Sequence, residues 1–153
     1  MGTNFYLMTN SKDARDKYFG WNYELTDTPD WGYTQHIAKT SCGWLPLFDG
    51  SGCFESVKEL HDLYWSDASF TIYDEYGTVY KWDEFEDRVL KFNGGIEGVA
   101  PKEKIVQDKN SQFYDSDMPE YKSISHFNYG HGKYKEHYYK DEDGYEFSYT
   151  TFG

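Results

Sequence analysis

Rings, not aliphatic chains, must form the interior of this protein. Sixteen Tyr, eleven Phe and five Trp make up 21% of its 153 residues. Each supplies a large apolar area, but Tyr hydroxyls and Trp indoles need a hydrogen-bond partner or an exit to water. A chain with 27 acidic against 15 basic side chains and few aromatics would read as disordered. Here the rings supply what a core requires, so the chain can fold and still present a negative surface. The length fits one domain, and 14 Gly with only 4 Pro suit a turn-rich fold containing β-structure.

The acid surplus sorts the function classes. A negative surface repels nucleic acid and membrane phosphates and attracts proteins with basic grooves. No stretch approaches the ~18 apolar residues of a membrane span, and the first residues have no positive region leading into an apolar run. Cys42 and Cys53 are therefore expected as reduced cytosolic thiols. The acids are unevenly spread: residues 49–87 hold eleven of them against only Lys58 and Lys81. That run reads either as the solvated faces of two short helices or as one contiguous binding patch.

Local patterns predict an α+β fold with a mainly antiparallel sheet, two short helices and a C-terminal β-hairpin unit. Asn4–Met8 reads as a strand, and Gln35–Thr40 and Trp44–Phe48 as two more, broken at Ser41-Cys42-Gly43. Residues 10–33 read as an insertion or long loop that can hold short strands. Ser56 with Glu59 forms a capping box opening a helix over about 56–65, with Val57, Leu60, Leu63 and Tyr64 at helical spacing. Phe70–Tyr73 and Thr78–Tyr80 flank Asp74-Glu75-Tyr76-Gly77 as a hairpin. Asp83 with Glu86 opens a second helix carrying Phe85, Val89 and Phe92, ended by Asn93-Gly94-Gly95. The core spans 1–93. Residues 94–120 form a linker, and 121–153 form antiparallel strands packing on the core (Ile124–Tyr129, Tyr134–Tyr139, Tyr145–Tyr149).

Candidate chemical sites are weak. His126, His131 and His137 fall close together, but their spacing matches no zinc pattern. Asp141-Glu142-Asp143-Gly144 lacks the distal glutamate of a calcium loop and reads as a turn. No nucleophile elbow or phosphate loop is present, and no cofactor is expected. Lys133, Lys135 and Lys140 lie among tyrosines, but Glu136, Asp141, Glu142 and Asp143 cancel their charge, so no direct nucleic-acid binding is expected.

Four segments carry a resemblance. Met1-Gly2-Thr3-Asn4-Phe5-Tyr6-Leu7, His36-Ile37-Ala38-Lys39-Thr40-Ser41-Cys42-Gly43-Trp44, Asp74-Glu75-Tyr76-Gly77 and Asp143-Gly144-Tyr145-Glu146-Phe147-Ser148 resemble a family of small bacteriophage proteins. Those begin Gly-Thr-Asn-Tyr-Tyr and carry a His-Ile-Gly-Lys-Ser-Ser-x-Gly-Trp element. Many members have a Cys-x-x-Cys pair between the first two motifs; residues 10–35 of this chain contain no cysteine, so a zinc role does not transfer. The resemblance implies a phage origin and action in the infected bacterial cytoplasm.

Small, acidic and phage-like, the chain is similar to anti-CRISPR and anti-restriction inhibitors, some of which place carboxylates where DNA places phosphates. The expected partner is a host nuclease or other defence component with a basic groove, with no membrane involved. The expected contact residues are Asp49, Glu55, Glu59, Asp62, Asp67, Asp74, Glu75, Asp83, Glu84, Glu86 and Asp87, with Tyr64, Trp65, Tyr76 and Trp82 as aromatic anchors. Alternatives are a virion structural or morphogenesis protein, or a small enzyme or sponge acting on a defence signalling nucleotide near Lys133 and Lys135.

Overall fold

A computed structural model of the chain describes residues 2–92 and 136–151. In chain order the elements are β1 (Gly2–Thr9), α1 (Lys12–Ala14, continued by a π-helical turn over Arg15–Phe19), β2 (Glu24–Thr26), β3 (Gly32–Ser41) and β4 (Trp44–Asp49). Then follow α2 (Val57–Ser66), β5 (Thr71–Asp74), β6 (Val79–Tyr80), α3 (Trp82–Phe85, continued over Glu86–Leu90), β7 (Tyr138–Lys140) and β8 (Glu146–Ser148).

The eight strands form one sheet in the order β6-β5-β1-β3-β4-β8-β7, with β2 joined to the first residues of β3. Every pairing is antiparallel except β4 with β8, where Phe48 lies opposite Phe147 in parallel register. Three short helices accompany this mostly antiparallel sheet, and the fold is α+β.

Period-two alternation divides the sheet into two faces. Phe5 and Leu7 of β1, Ile37 of β3, Phe48 of β4, Ile72 of β5 and Phe147 of β8 join one apolar cluster with Val57, Leu60 and Leu63 of α2. Ala14 and Phe19 from the α1 segment and Trp82, Phe85 and Val89 from the α3 segment belong to the same cluster, so all three helices cover one face. The interior is ring-built as the composition requires: Phe5 meets Phe85 edge-on at 6.0 Å, and Phe48 stacks on Phe147 at 5.2 Å. On the opposite face Tyr6 stacks between His36 at 4.9 Å and Tyr73 at 5.2 Å. The Tyr73 hydroxyl is satisfied by Thr34 Oγ1 at 2.9 Å.

Three local expectations are corrected. The loop expected over 10–33 holds a short strand, β2, as allowed, but also α1, which was not expected. Ser11 caps α1, its hydroxyl accepting from the Ala14 amide at 3.2 Å. The expected α3 cap at Asp83 lies two residues too late. The N-cap is Lys81, whose amide donates to Glu84 Oε1 at 2.9 Å; a lysine side chain has no acceptor, so only this half of the reciprocal pair forms. At α2, Ser56 Oγ accepts from the Glu59 amide at 3.0 Å as expected, but the Glu59 carboxylate reaches the Glu55 amide at 3.4 Å rather than that of Ser56.

The hairpin turn matches its sequence signature. Gly77 takes φ +86° and donates to the Asp74 carbonyl at 2.9 Å. The expected Asn93–Gly95 stop, the linker over 94–120, the strand over 124–129, His126, His131, Lys133 and Lys135 lie outside the described residues.

Candidate interaction surface

The acids of 49–87 do not form one patch. Each takes the position its own turn or helix dictates, and two of them point inward. Asp49 is 3% exposed, and its Oδ1 accepts from the Ser51 amide at 2.8 Å and the Ser51 hydroxyl at 2.5 Å. Asp74 is 4% exposed; its Oδ1 accepts from the Tyr76 and Thr78 amides at 2.9 and 3.0 Å, and its Oδ2 from the Tyr80 hydroxyl at 2.7 Å. Both are short carboxylates that satisfy the donors of the turns they begin. Their expected role as surface contacts is therefore corrected. Trp82 is also buried and belongs to the core rather than to an exposed anchor set.

Others are exposed or partly so but engaged elsewhere. Glu75 accepts from the Asn4 amide at 2.8 Å and its side-chain amide at 3.3 Å, tying the hairpin turn to β1. Tyr76 is exposed on that same turn. Asp67 caps the end of α2 and accepts from the Ser69 amide at 2.9 Å; hydrogen bonds from Ser69 hold its carboxyl below the ordinary value. Asp87 pairs with Lys91 at 3.1 Å and Glu86 lies 3.8 Å from the same ammonium.

Five further carboxylates are exposed, Glu55, Glu59, Asp62, Asp83 and Glu84, of which Glu59 and Glu84 also take the helix-start amides described above. The first three flank or lie on α2, and the last two lie in the first turn of α3. Buried Trp82 joins the two helices. Its ring lies 5.1 Å from His61 and 5.8 Å from Tyr64, and Tyr64 meets the exposed Trp65 edge-on at 5.0 Å.

The field of these carboxylates shows in the phenols beside them. Burial pushes Tyr64 up, and the charges of Asp83 and Glu84 add to the shift. Tyr139 of β7 is pushed up to about 12 by burial, then by Glu55, Tyr149, Asp141 and Glu59. Its hydroxyl donates to the Glu55 carbonyl at 2.9 Å. Carboxylates thus stand beside the β7–β8 turn, along α2 and at the start of α3. Lys58 and Lys81 stand against them and lower their charge density.

Asp141 is the residue that sequence reasoning missed. Its Oδ1 accepts from the Asp143 and Tyr145 amides at 3.1 and 2.8 Å, and its Oδ2 from the Val57 amide at 2.8 Å. One carboxylate thus closes the C-terminal turn and satisfies a free amide at the start of α2, where negative charge is favoured. The loop expected to be a simple solvated turn is an anchor for the helix that carries the acids.

Among the described residues no group of three or more His, Cys, Asp or Glu side chains is arranged to hold a metal ion. His137 lies exposed, 3.9 Å from Glu136. Cys42 and Cys53 are both free thiols. The Cys53 thiol donates to Gln35 Oε1 at 3.2 Å, and its local burial pushes it up to about 11. Among the described residues no helix is long and apolar enough to cross a membrane. No family model, curated protein or solved structure matches the chain.

Proposed function

We propose that the protein is a phage-encoded, acidic interaction protein that inhibits a host defence system in the infected cell by occupying a basic surface of a nucleic-acid-handling protein. The observation that supports this reading is the ring contact through Trp82, which packs α2, with Glu59, Asp62 and the exposed Trp65, against the start of α3, with Asp83 and Glu84. A groove lined with Lys and Arg, built for about one negative charge per 1.7 Å of duplex axis, accepts carboxylates on a rigid support. The exposed Trp65 on the same helix supplies an anchor that charge alone does not. The resemblance to small phage proteins supports the source of the partner.

The test is co-purification of the tagged full chain from infected cells at low salt and at about 1 M salt, where the Debye length is about 3 Å. The reading predicts a nuclease or other DNA-handling protein retained at low salt and released at high salt, with phage restriction weakened when the chain is expressed. Retention of no such protein, together with unchanged restriction, overturns it.

A further inference from the structure

Exposed apolar side chains gather on the limb that carries β2. Trp21 is 93% exposed, Leu25 66% and Trp31 52%. Leu25 lies opposite Tyr33 in the β2–β3 ladder, so the two side chains stand on one face of the sheet. Tyr33 is buried in the core cluster, and the Trp31 ring meets it edge-on at 5.1 Å. Tyr23 meets the same ring edge-on, also at 5.1 Å. The exposed Trp31 therefore rests on a fixed base, and covering it costs little further ordering.

β2 is an open edge. Among the described residues its one strand neighbour is β3, paired over Glu24–Thr26. The free side of such a strand offers backbone amides and carbonyls to an added strand. Lysine commonly guards an edge of this kind, and β2 has none. Three residues supply few ladder bonds, so side chains must carry most of the affinity of anything that pairs there.

The charge along this limb has one sign. From Tyr18 to Ala38 the acids are Glu24, Asp27 and Asp30, and there is no lysine or arginine. All three are exposed, and among the described residues none forms an ion pair. Asp27 accepts from the Thr28 hydroxyl at 3.3 Å and Asp30 from the Trp31 amide at 2.8 Å, uncharged donors that leave the charge in place. Arg15 lies over the Tyr23 and Tyr33 rings but is paired with Asp16 at 2.7 Å. A second copy of the chain would bring the same three acids and a net charge of −12 to the edge, so charge opposes self-pairing and favours a basic occupant.

Period two gives the edge two unlike sides. Leu25 stands with Tyr33 and Trp31 on one, and Glu24, opposite Thr34, stands on the other. We propose that β2 is a docking edge for an extended segment of a partner protein in which aliphatic and basic side chains alternate. The aliphatic ones cover Leu25 and Trp31, and the basic ones face Glu24, with Asp27 and Asp30 at the end of the limb. This surface shares no residue with the carboxylates of α2 and α3, and it does not rest on the function proposed above.

The test is NMR titration of the isotope-labelled full chain with a capped peptide of alternating lysine and valine, and with an alternating glutamate–valine peptide as the control. The expected result is saturation by the basic peptide alone, weakened several-fold by added salt. The largest shifts should fall on the amides of Glu24–Thr26 and the Trp31 indole. Leu25→Lys, at an exposed position, places a like charge on the edge and lowers the affinity about tenfold or more. Glu24→Gln lowers it several-fold, leaves the apolar side untouched, and keeps the test valid if Leu25→Lys disturbs the limb. Four results each overturn the proposal: the basic peptide does not saturate, the acidic peptide binds as tightly, the largest shifts fall outside residues 21–33, or either folded variant binds as tightly as the unaltered chain. Sedimentation of the chain alone as a dimer that Leu25→Lys abolishes also overturns it, by assigning the edge to a second copy.

Discussion

Short acidic side chains in this protein serve their own turns before they serve the surface. Asp49, Asp74 and Asp141 each accept two backbone or hydroxyl donors from the residues just after them. The signal was present in Asp49-Gly50-Ser51 and Asp74-Glu75-Tyr76-Gly77-Thr78, where an aspartate opens a small-residue turn. Counting charge along 49–87 could not reveal it, because a count does not separate a carboxylate facing water from one facing its own amides. Asp141→Ala removes the acceptor of three amides at once, including the first of α2. It is expected to cost about 1–3 kcal/mol, read as a lower midpoint in urea unfolding with an unchanged slope. Tyr80 and Tyr139 set a second expectation. Burial and then the Asp74 hydrogen bond push Tyr80 up to about 12, and Tyr139 is raised to the same level. Both folded values exceed the unfolded value near 10, so the folded state retains protons that the unfolded state releases. The stability they contribute is complete below about pH 10 and declines as pH rises toward 12. Urea midpoints measured across this window should fall, and Tyr80→Phe should flatten the decline.

Elements with a strong period were legible, and those held by a few contacts were not. β1 and β4 are read from apolar residues bounded by turns, while β3 is read only over 35–40 of its Gly32–Ser41 span. α2 did so through its serine cap and its Val57, Leu60 and Leu63 stripe, all buried. Ser56→Ala should therefore destabilise the protein by about 1 kcal/mol, measurable as a shift in thermal midpoint, while Ser51→Ala, far from any helix cap, should leave α2 intact by amide exchange. α1 was missed because only Ala14, Tyr18 and Phe19 of its eight residues face the core, and the intervening Lys and Asp residues read as loop. Both α1 and α3 end in π-turns, closed by Gly20 on the Arg15 carbonyl and Lys91 on the Glu86 carbonyl at 2.9 Å each. Those five-residue closures shift the apolar stripe and displace the boundaries that a 3.6-residue period predicts.

At the scale of the whole molecule, the sheet order could not be read from any local pattern. β8 enters beside β4 in parallel, and that pairing joins segments about a hundred residues apart through Phe48 and Phe147. Its consequence is spatial: it brings Asp141 to the start of α2. Of the two readings of 49–87, one contiguous patch is not formed: the exposed carboxylates Glu55, Glu59, Asp62, Asp83 and Glu84 lie on or beside α2 and the start of α3, and Asp49 and Asp74 are buried. An association governed by such a surface should slow about tenfold or more between low and physiological salt. The most direct measurement is phage plating on bacteria that carry a nuclease-based defence and express either the unaltered chain or a variant combining Glu55→Gln, Glu59→Gln, Asp62→Asn and Asp83→Asn. These four changes remove four of the five exposed carboxylates, sparing Glu84, which caps α3, and leave the core and the Asp141 anchor intact. The account predicts that the unaltered chain restores plating and the variant, folded to the same thermal midpoint, does not. Equal restoration by the two would contradict it.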